Sequence, residues 1–199
     1  MKIYQYKNYP DYIEAQRLAN REKYDMSWAS EANIKAIAKY LKPRNPLLGL
    51  CHGARNGSEV RFFNKHLPKC QTWGSDLGQS SAPGMIVWDF NHPREEWLGK
   101  FDFIYSNSFD HCFDPEITFK VWRDQVRDGG LIILEWSKKH EHAGEEGNTE
   151  TAMDPLAITI DELVAEIPEW ASNAKVIEII NLPQVYMDWQ QAIIVEVVK

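Results

Sequence analysis

A glycine-containing turn near residue 50 constrains the fold more than any other feature of this sequence. The apolar run at residues 47–51 stops just before Gly53, and the helix-compatible stretch Ser58–His66 begins directly after Gly57. Glycine lets a backbone turn tightly and approach a bound group, and a helix N-terminus offers free N–H groups to a ligand. A strand, a glycine turn and a helix in this order are therefore typical of a site for a nucleotide-like molecule.

Two acidic residues stand where later strands are predicted to end. Asp76 lies 19 residues after Gly57, and Asp89 directly follows the apolar run at residues 84–88. In doubly wound folds, an acidic residue at about the first distance binds a ribose. Either aspartate taken alone is explained equally well as a solvated turn residue. Their joint position at one edge of a sheet favours a shared ligand.

Strand-like and helix-like segments alternate from residue 47 onward, which favours a parallel sheet with crossover helices. The last two apolar runs have no helix between them, so we expect them to pair as an antiparallel hairpin with a loop at residues 183–188. The sequence thus predicts an α/β fold with a doubly wound, mostly parallel seven-stranded sheet and an antiparallel last strand. The predicted strands are 47–51, 71–75, 84–88, Phe101–Ser106, 131–135, Ala174–Asn181 and 190–198, and the predicted helices are Ser58–His66, 116–127 and 159–167.

The first 45 residues differ from the rest and are predicted to form a helical lead-in. Pro10 can open one helix, and Ser27 or Ser30 is a suitable N-cap for a second helix. The length of 199 residues suits one domain, so we expect a single domain over residues 1–199, with the core at 46–199.

Charge and cysteine content exclude several classes of protein. The formal net charge is −7 with acidic and basic residues mixed, which argues against a protein that tracks nucleic-acid phosphates. No apolar run approaches the length of a membrane span, and the N-terminus lacks a signal-peptide pattern. Cys51, Cys70 and Cys112 are predicted to be buried thiols in a reducing compartment, so we expect a cytoplasmic protein without membrane or nucleic-acid partners.

Five short motifs give the chain a resemblance to a known family. They are residues 53–57 after the first strand, Asp76-Leu77 after the second, Asp89-Phe90 after the third, residues 101–111 around the fourth, and Asp128-Gly129-Gly130 before the fifth. Over residues 47–136 the chain resembles the class I, Rossmann-like S-adenosylmethionine-dependent methyltransferases, and residues 106–111 resemble the small-molecule branch of that family.

The resemblance implies S-adenosylmethionine as cofactor and assigns roles to particular residues. Asp76 would bind the ribose hydroxyls and Asp89 the adenine amino group. Ser106 and Asn107 would lie beside the sulfonium. The cofactor-binding residues that the resemblance implies are His52, Gly53, Ala54, Arg55, Asn56, Gly57, Asp76, Leu77, Asp89, Phe90, Ser106 and Asn107.

Two positions depart from the family pattern. Cys51 stands where the family usually has an acidic residue, and Arg55 stands where it usually has glycine. The Arg55 guanidinium has the geometry to bind the carboxylate of the cofactor.

His111, with Asp110 beside it, is the candidate catalytic base, because a histidine near neutral pKa suits removal of a hydroxyl proton. A packed, hydrogen-bonded histidine explains the same residue equally well. The spacing of His140, Glu141 and His142 invites a metal interpretation, but we expect these side chains to be solvated and predict no metal site. Asp102 begins its strand at the opposite edge and is predicted to be structural, whereas Trp28 and Trp136 are candidates for an acceptor pocket.

The sequence favours an enzyme that transfers a methyl group to a small-molecule acceptor, with an oxygen of a sugar or metabolite as the preferred target. The run after the fourth predicted strand lacks the Asn/Asp-Pro-Pro-aromatic pattern of enzymes that methylate amino groups on DNA bases. Two alternatives stay open. A nicotinamide-dependent oxidoreductase shares the ribose acid but prefers Gly-x-Gly-x-x-Gly, and a protein that binds S-adenosylmethionine without catalysis would share the whole fold.

Overall fold

Strands and helices alternate along most of the chain, as the sequence predicts. The computed structural model describes residues 1–4, 6–141, 154–183 and 189–199. The helices are α1 (Tyr9–Glu22), α2 (Glu31–Leu41), α3 (Ser58–His66), α4 (Pro115–Gln125) and α5 (Ile160–Trp170). The strands are β1 (Lys2–Ile3), β2 (Leu48–His52), β3 (Gln71–Asp76), β4 (Met85–Val87), β5 (Phe101–Ser106), β6 (Val126–Ser137), β7 (Leu156–Ala157), β8 (Ala174–Asn181) and β9 (Gln190–Val197).

Seven of these strands form one sheet in the order β4-β3-β2-β5-β6-β9-β8. The pairs from β4 to β6 are parallel, whereas β9 runs antiparallel to both β6 and β8. The order reverses at β2, whose neighbours are β3 and β5, and ligands of open α/β sheets bind at such a point beyond the carboxyl ends of the strands. The predicted sheet, including its antiparallel last strand, is confirmed.

Side chains that alternate along the strands build a separate apolar core on each face of the sheet. In β6, Leu131 and Ile133 pack with residues of α2 and α3, whereas Ile132 and Leu134 pack with residues of α4 and α5. All four side chains are fully buried. Burial on both faces explains why residues 131–134 of this strand form a continuous apolar run.

The N-terminal segment contains two capped helices. The side chain of Asn8 accepts a hydrogen bond from the backbone N–H of Asp11 at the start of α1, and Pro10 lies in the first turn. Ser30 caps α2 by accepting from Asn33 N, which confirms one of the two predicted caps. None of the described helices combines the length and the apolar character needed to cross a membrane.

Several predicted boundaries differ from the structure. Helix α4 ends at Gln125 instead of residue 127, because Val126 already pairs with Phe101 as part of β6. The positive φ of Gly129, 68°, lies within the irregular start of β6, where the register with β5 shifts. Of the loop predicted at residues 183–188 between β8 and β9, residues 184–188 lie outside the described residues.

Asp102 is structural, as predicted. Its Oδ2 accepts hydrogen bonds from the backbone N–H groups of Leu47 and Leu48, each at 2.8 Å, and Arg127 pairs with its Oδ1. These contacts fix the beginning of β2 at the edge of the sheet opposite to the candidate site.

Candidate functional site

The turn after β2 has a shape that depends on glycine. Gly53 has φ +71° and Gly57 has φ +74°, both in the left-handed region that glycine adopts without strain. Gly53 also lies close to the loop after β5, since a Cβ atom there would stand 2.7 Å from the Cβ of Ser108. The turn therefore packs directly against the loop that follows β5.

Arg55 is the non-glycine residue in this turn that adopts a positive φ, 38°. Its backbone N–H donates to Asp76 Oδ2 at 2.8 Å, and its guanidinium Nη1 donates to the carbonyl oxygen of Lys23 at 3.1 Å. Glycine adopts this left-handed conformation without the steric cost that a Cβ atom brings.

Asp76 and Asp89 follow neighbouring parallel strands and accept hydrogen bonds from α1. Asn20 Nδ2 donates to Asp76 Oδ1 at 2.5 Å, and the Tyr9 hydroxyl donates to Asp89 Oδ2. Asp76 also accepts from the backbone of Gly78 at 2.9 Å. Helix α1 therefore lies across the carboxyl edge and supplies donors to both carboxylates.

A cavity of about 50 Å³ lies between α1 and this edge. Its α1 wall consists of Tyr12, Gln16, Ala19 and Asn20. Its other wall contains six of the residues to which the sequence assigns cofactor binding: Gly53, Arg55, Asp76, Leu77, Asp89 and Phe90. The two carboxylates thus face one shared space, as the sequence predicts.

Five other residues with the same assignment lie outside the lining of this cavity. They are His52, Ala54, Asn56, Gly57 and Ser106. Ala54 is buried beneath the turn, and Asn56 Nδ2 donates to the carbonyl oxygen of Tyr24 at 2.8 Å. Ser106 Oγ donates to the carbonyl oxygen of His52 at 2.9 Å. These residues belong to the turn or to the strand ends beside it, and none of them lines the cavity.

His52 departs most from its predicted role. Its Nδ1 is 2.7 Å from Ser75 Oγ, and its Nε2 is 2.8 Å from Gln125 Oε1, so both ring nitrogens have partners inside the protein. Burial lowers the pKa of this histidine to about 4, so the ring is neutral near pH 7. Successive side chains of β2 point to opposite faces of the sheet, so His52 and Cys51 lie on different faces. The His52 ring points toward α4 and therefore does not reach the carboxyl edge of the sheet.

A second cavity of about 320 Å³ adjoins the first, and both are lined by Arg55, Ser108 and His111. Asn107, which the resemblance places beside the sulfonium, and Trp28, a candidate for the acceptor pocket, both line it. Trp136, the other predicted pocket residue, is instead fully buried and donates from Nε1 to the carbonyl oxygen of Ile158.

The predicted catalytic residues lie in this second cavity together with an acidic residue that sequence reasoning did not find. His111 Nε2 is 3.3 Å from Asp154 Oδ1, and His111 Nδ1 is 2.9 Å from Gln16 Oε1. Asp110 is buried, which raises its pKa to about 7, with the neighbouring His111 opposing the shift and Asp154 adding to it. Asp154 follows a long polar segment, and nothing in the surrounding pattern marks it as a site residue.

His140 is not solvated, contrary to the sequence prediction. Its ring stacks on Trp136 at a centroid distance of 4.3 Å, and its Nδ1 accepts from the backbone N–H of Ser137 at 2.9 Å. Its Nε2 is 3.8 Å from Asp110 Oδ1. Burial lowers the pKa of His140. His142, the other histidine of this predicted pair, lies outside the described residues.

No family model matches the chain, and no curated protein matches it. Solved structures do share its fold. The 1,6-didemethyltoxoflavin-N1-methyltransferase of Burkholderia thailandensis, with bound S-adenosylhomocysteine, superimposes with a TM-score of 0.73 at 13% identity, covering 98% of this chain and 92% of that chain.

Two further structures agree with this result. The plantazolicin methyltransferase BpumL gives a TM-score of 0.64 at 12% identity, covering 96% of this chain and 98% of that chain. The N-methyltransferase NodS of Bradyrhizobium japonicum gives 0.61 at 11% identity, covering 92% and 98%. Both are described with S-adenosylhomocysteine bound. Together with the strand order, these likenesses establish that the chain has the class I methyltransferase fold.

Proposed function

We propose that the protein is an S-adenosylmethionine-dependent methyltransferase that acts on an oxygen atom of a small-molecule acceptor. The observation that carries the proposal is the pair Asp76 and Asp89, which lie at the carboxyl ends of neighbouring strands and line one cavity beside the glycine turn. A carboxylate at the first position suits ribose hydroxyls, and one at the second suits an adenine amino group.

The residues at the edge of the sheet fit the cofactor in chemistry. Asp76 and Asp89 accept hydrogen bonds from Asn20 and Tyr9, which are donors of the same kind as hydroxyl and amino groups of an adenosine. A cavity of about 50 Å³ is too small for that group. Binding therefore requires that side chains of α1 withdraw and that the ligand replace their hydrogen bonds.

The second cavity suits an acceptor. Its volume of about 320 Å³ falls in the range of small-molecule sites, and it meets the first cavity at Arg55, Ser108 and His111. When bound, the cofactor supplies an electrophilic methyl group on its sulfonium sulfur. Asp110 and His111 would bind the acceptor hydroxyl and orient its oxygen toward the first cavity, while the enclosing walls exclude water.

Calorimetric titrations with S-adenosylhomocysteine, S-adenosylmethionine and NAD test the cofactor. We expect both adenosyl compounds to bind, and the Asp76→Ala variant to bind at least about tenfold more weakly because a charge-assisted hydrogen-bond acceptor is lost. Asp161→Asn, an exposed change on α5, is the matched control and should bind normally. Binding of NAD alone would contradict the proposal and support the oxidoreductase alternative.

The acceptor is tested by incubating the protein with labelled methyl donor and fractionated small metabolites. We expect label in a small molecule as a methyl ether or ester, and less label with His111→Ala. Label on nitrogen or carbon would overturn the oxygen assignment while leaving the transferase assignment intact. Cofactor binding with no labelled product in any fraction would favour binding without catalysis.

The three free, buried cysteines support the cytoplasmic location that belongs to this proposal.

A further inference from the structure

We propose that Asp110, His111 and Asp154 form a binding site for a divalent metal ion at the wall of the second cavity. Each residue presents one ligand atom, and these atoms all lie within 4.8 Å of one another. Two ligand atoms of one ion are separated by at most twice the metal–ligand bond length, which is about 4.0–5.2 Å for bonds of about 2.0–2.6 Å, so small side-chain movements bring all three atoms within reach of one ion. The site joins two neighbouring residues after β5 to a residue just before β7.

Two buried carboxylate oxygens in this cluster have no hydrogen-bond partner. They are Asp110 Oδ1 and Asp154 Oδ1, and their residues are only 6% and 9% exposed. An unpartnered carboxylate oxygen is costly to bury, and buried charges are normally paired or bound to metal. Both oxygens are therefore available as ligands for a cation bound inside the cluster.

His111 is oriented as a metal ligand. Its Nδ1 lies 2.9 Å from the amide oxygen of Gln16, which only accepts, so Nδ1 carries the proton. The lone pair of Nε2 then faces Asp154 Oδ1 at 3.3 Å, and two electron-rich atoms at that distance require a proton or a cation between them. A histidine that donates through one nitrogen to a carbonyl oxygen and binds through the other is the usual arrangement at metal centres.

The histidine nearest to Asp110 outside the cluster does not donate a hydrogen bond to its free oxygen. His140 Nδ1 accepts a hydrogen bond, so its proton is on Nε2, which lies 3.8 Å from Asp110 Oδ1 and beyond hydrogen-bond range. Two carboxylates and one imidazole form a mixed oxygen and nitrogen donor set that suits Mn²⁺ and related ions. Three protein ligands leave coordination positions open toward the cavity. If the proposed function is correct, the acceptor oxygen would occupy one of them.

Titration of the full chain with Mn²⁺, followed by the loss of the free-ion electron paramagnetic resonance signal, tests this proposal. We expect one bound ion, with affinity at least about tenfold lower in Asp154→Asn and in Asp110→Asn, because each change removes an anionic ligand. Asp161→Asn, on the exposed face of α5, should bind Mn²⁺ as the unmodified chain does. Asparagine keeps the shape of aspartate, and melting curves without metal show whether each variant is folded.

Two results would overturn the site: no Mn²⁺ bound at millimolar concentration, or equal affinity in the unmodified chain and both cluster variants. Titration of Asp154→Asn with S-adenosylhomocysteine separates this proposal from the proposed function. Normal cofactor binding together with lost Mn²⁺ binding supports the metal site. Mn²⁺ binding by a chain that binds no adenosyl compound would support the metal site and contradict the methyltransferase assignment.

Discussion

The backbone of Arg55 carries strain that a single substitution can measure. Its φ of 38° is unfavourable for a residue with a Cβ atom, and the guanidinium hydrogen bonds to Lys23 and Met26 hold it in place. Arg55→Ala and Arg55→Gly both remove these bonds, but only glycine also removes the strain. We expect Arg55→Gly to be more stable than Arg55→Ala by about 1 kcal/mol in urea unfolding. Equal stability would show that the turn imposes no such strain.

Glu59, in the first turn of α3, is a buried acid whose environment disfavours its charge. It is 6% exposed, and its Oε2 has no hydrogen-bond partner. Burial raises its pKa from 4.5 to about 7, with the charges of Glu135 and Asp76 adding to the shift and Arg55 opposing it. The folded state therefore binds more protons than the unfolded state between these two pH values.

This difference predicts that the free energy of unfolding falls as the pH rises from 4.5 to about 7. Glu59→Gln removes the titrating group, so we expect its free energy of unfolding to fall less over this pH range. Above pH 7 the variant should be more stable than the unmodified chain, by at most about 3 kcal/mol. Urea unfolding at a series of pH values measures the free energy of unfolding of both proteins. Parallel pH profiles for the two proteins would contradict the interpretation of Glu59.

At the scale of elements, helix α1 competes with the proposed cofactor. Two of its side chains already donate hydrogen bonds to the carboxylates that are assigned to cofactor binding. The Tyr9 hydroxyl donates to Asp89, and Asn20 donates to Asp76. In Tyr9→Phe one of these hydrogen bonds is absent before the ligand arrives. We expect S-adenosylhomocysteine to bind about fivefold more tightly, which corresponds to roughly 1 kcal/mol for one hydrogen bond.

Calorimetry of Tyr9→Phe beside Tyr4→Phe, which removes a hydroxyl from an exposed residue before α1, gives a matched comparison. Weaker binding in Tyr9→Phe would mean that this hydroxyl contacts the bound cofactor, so that α1 closes over the ligand and does not compete with it.

At the scale of elements, local patterns were sufficient to predict most of the sheet. The apolar runs identified β2 to β6, and the missing helix between the last two runs identified β9 as antiparallel. The end of α4 was predicted two residues late, because Val126 is compatible with both states and only its pairing with Phe101 makes it a strand. Boundaries that depend on contacts between distant residues are not encoded in a local window.

The site was predictable only where its residues follow strands of the sheet. Asp76 and Asp89 occupy strand ends, so topology brings them together. Asp154 lies beside His111, but it comes from a segment outside the main sheet, so the strand order does not predict its position. Helix α1 covers the cavity through side-chain contacts that correspond to no sequence motif. Side chains alternate between the two faces of the sheet along β2, and this alternation decides where His52 points. The glycine motif alone does not indicate which face His52 occupies.

At the scale of the whole molecule, the N-terminus and the segment that carries Asp154 are joined in a small second sheet. β1 pairs antiparallel with β7, in the register Lys2 with Ala157, and Tyr4 N donates to the carbonyl oxygen of Pro155. Pro155 directly follows Asp154, so this hydrogen bond helps to fix the position of the acid beside His111. Through this pairing, the first residues of the chain contact the segment that contributes Asp154 to the proposed acceptor site.

Replacing Tyr4 by proline removes this donor, whereas Tyr4→Ala removes the ring and keeps the donor. We expect faster amide hydrogen exchange at residues 156–158 in Tyr4→Pro than in Tyr4→Ala, with protection of β2, β5 and β6 unchanged because the main sheet does not contain β1. If the proposed metal site exists, Mn²⁺ affinity should also fall several-fold in Tyr4→Pro only, since Asp154 is then less well positioned. Equal exchange at residues 156–158 in both variants would show that packing of Leu156 and Ile158, which are buried in the main core, holds this segment without help from β1.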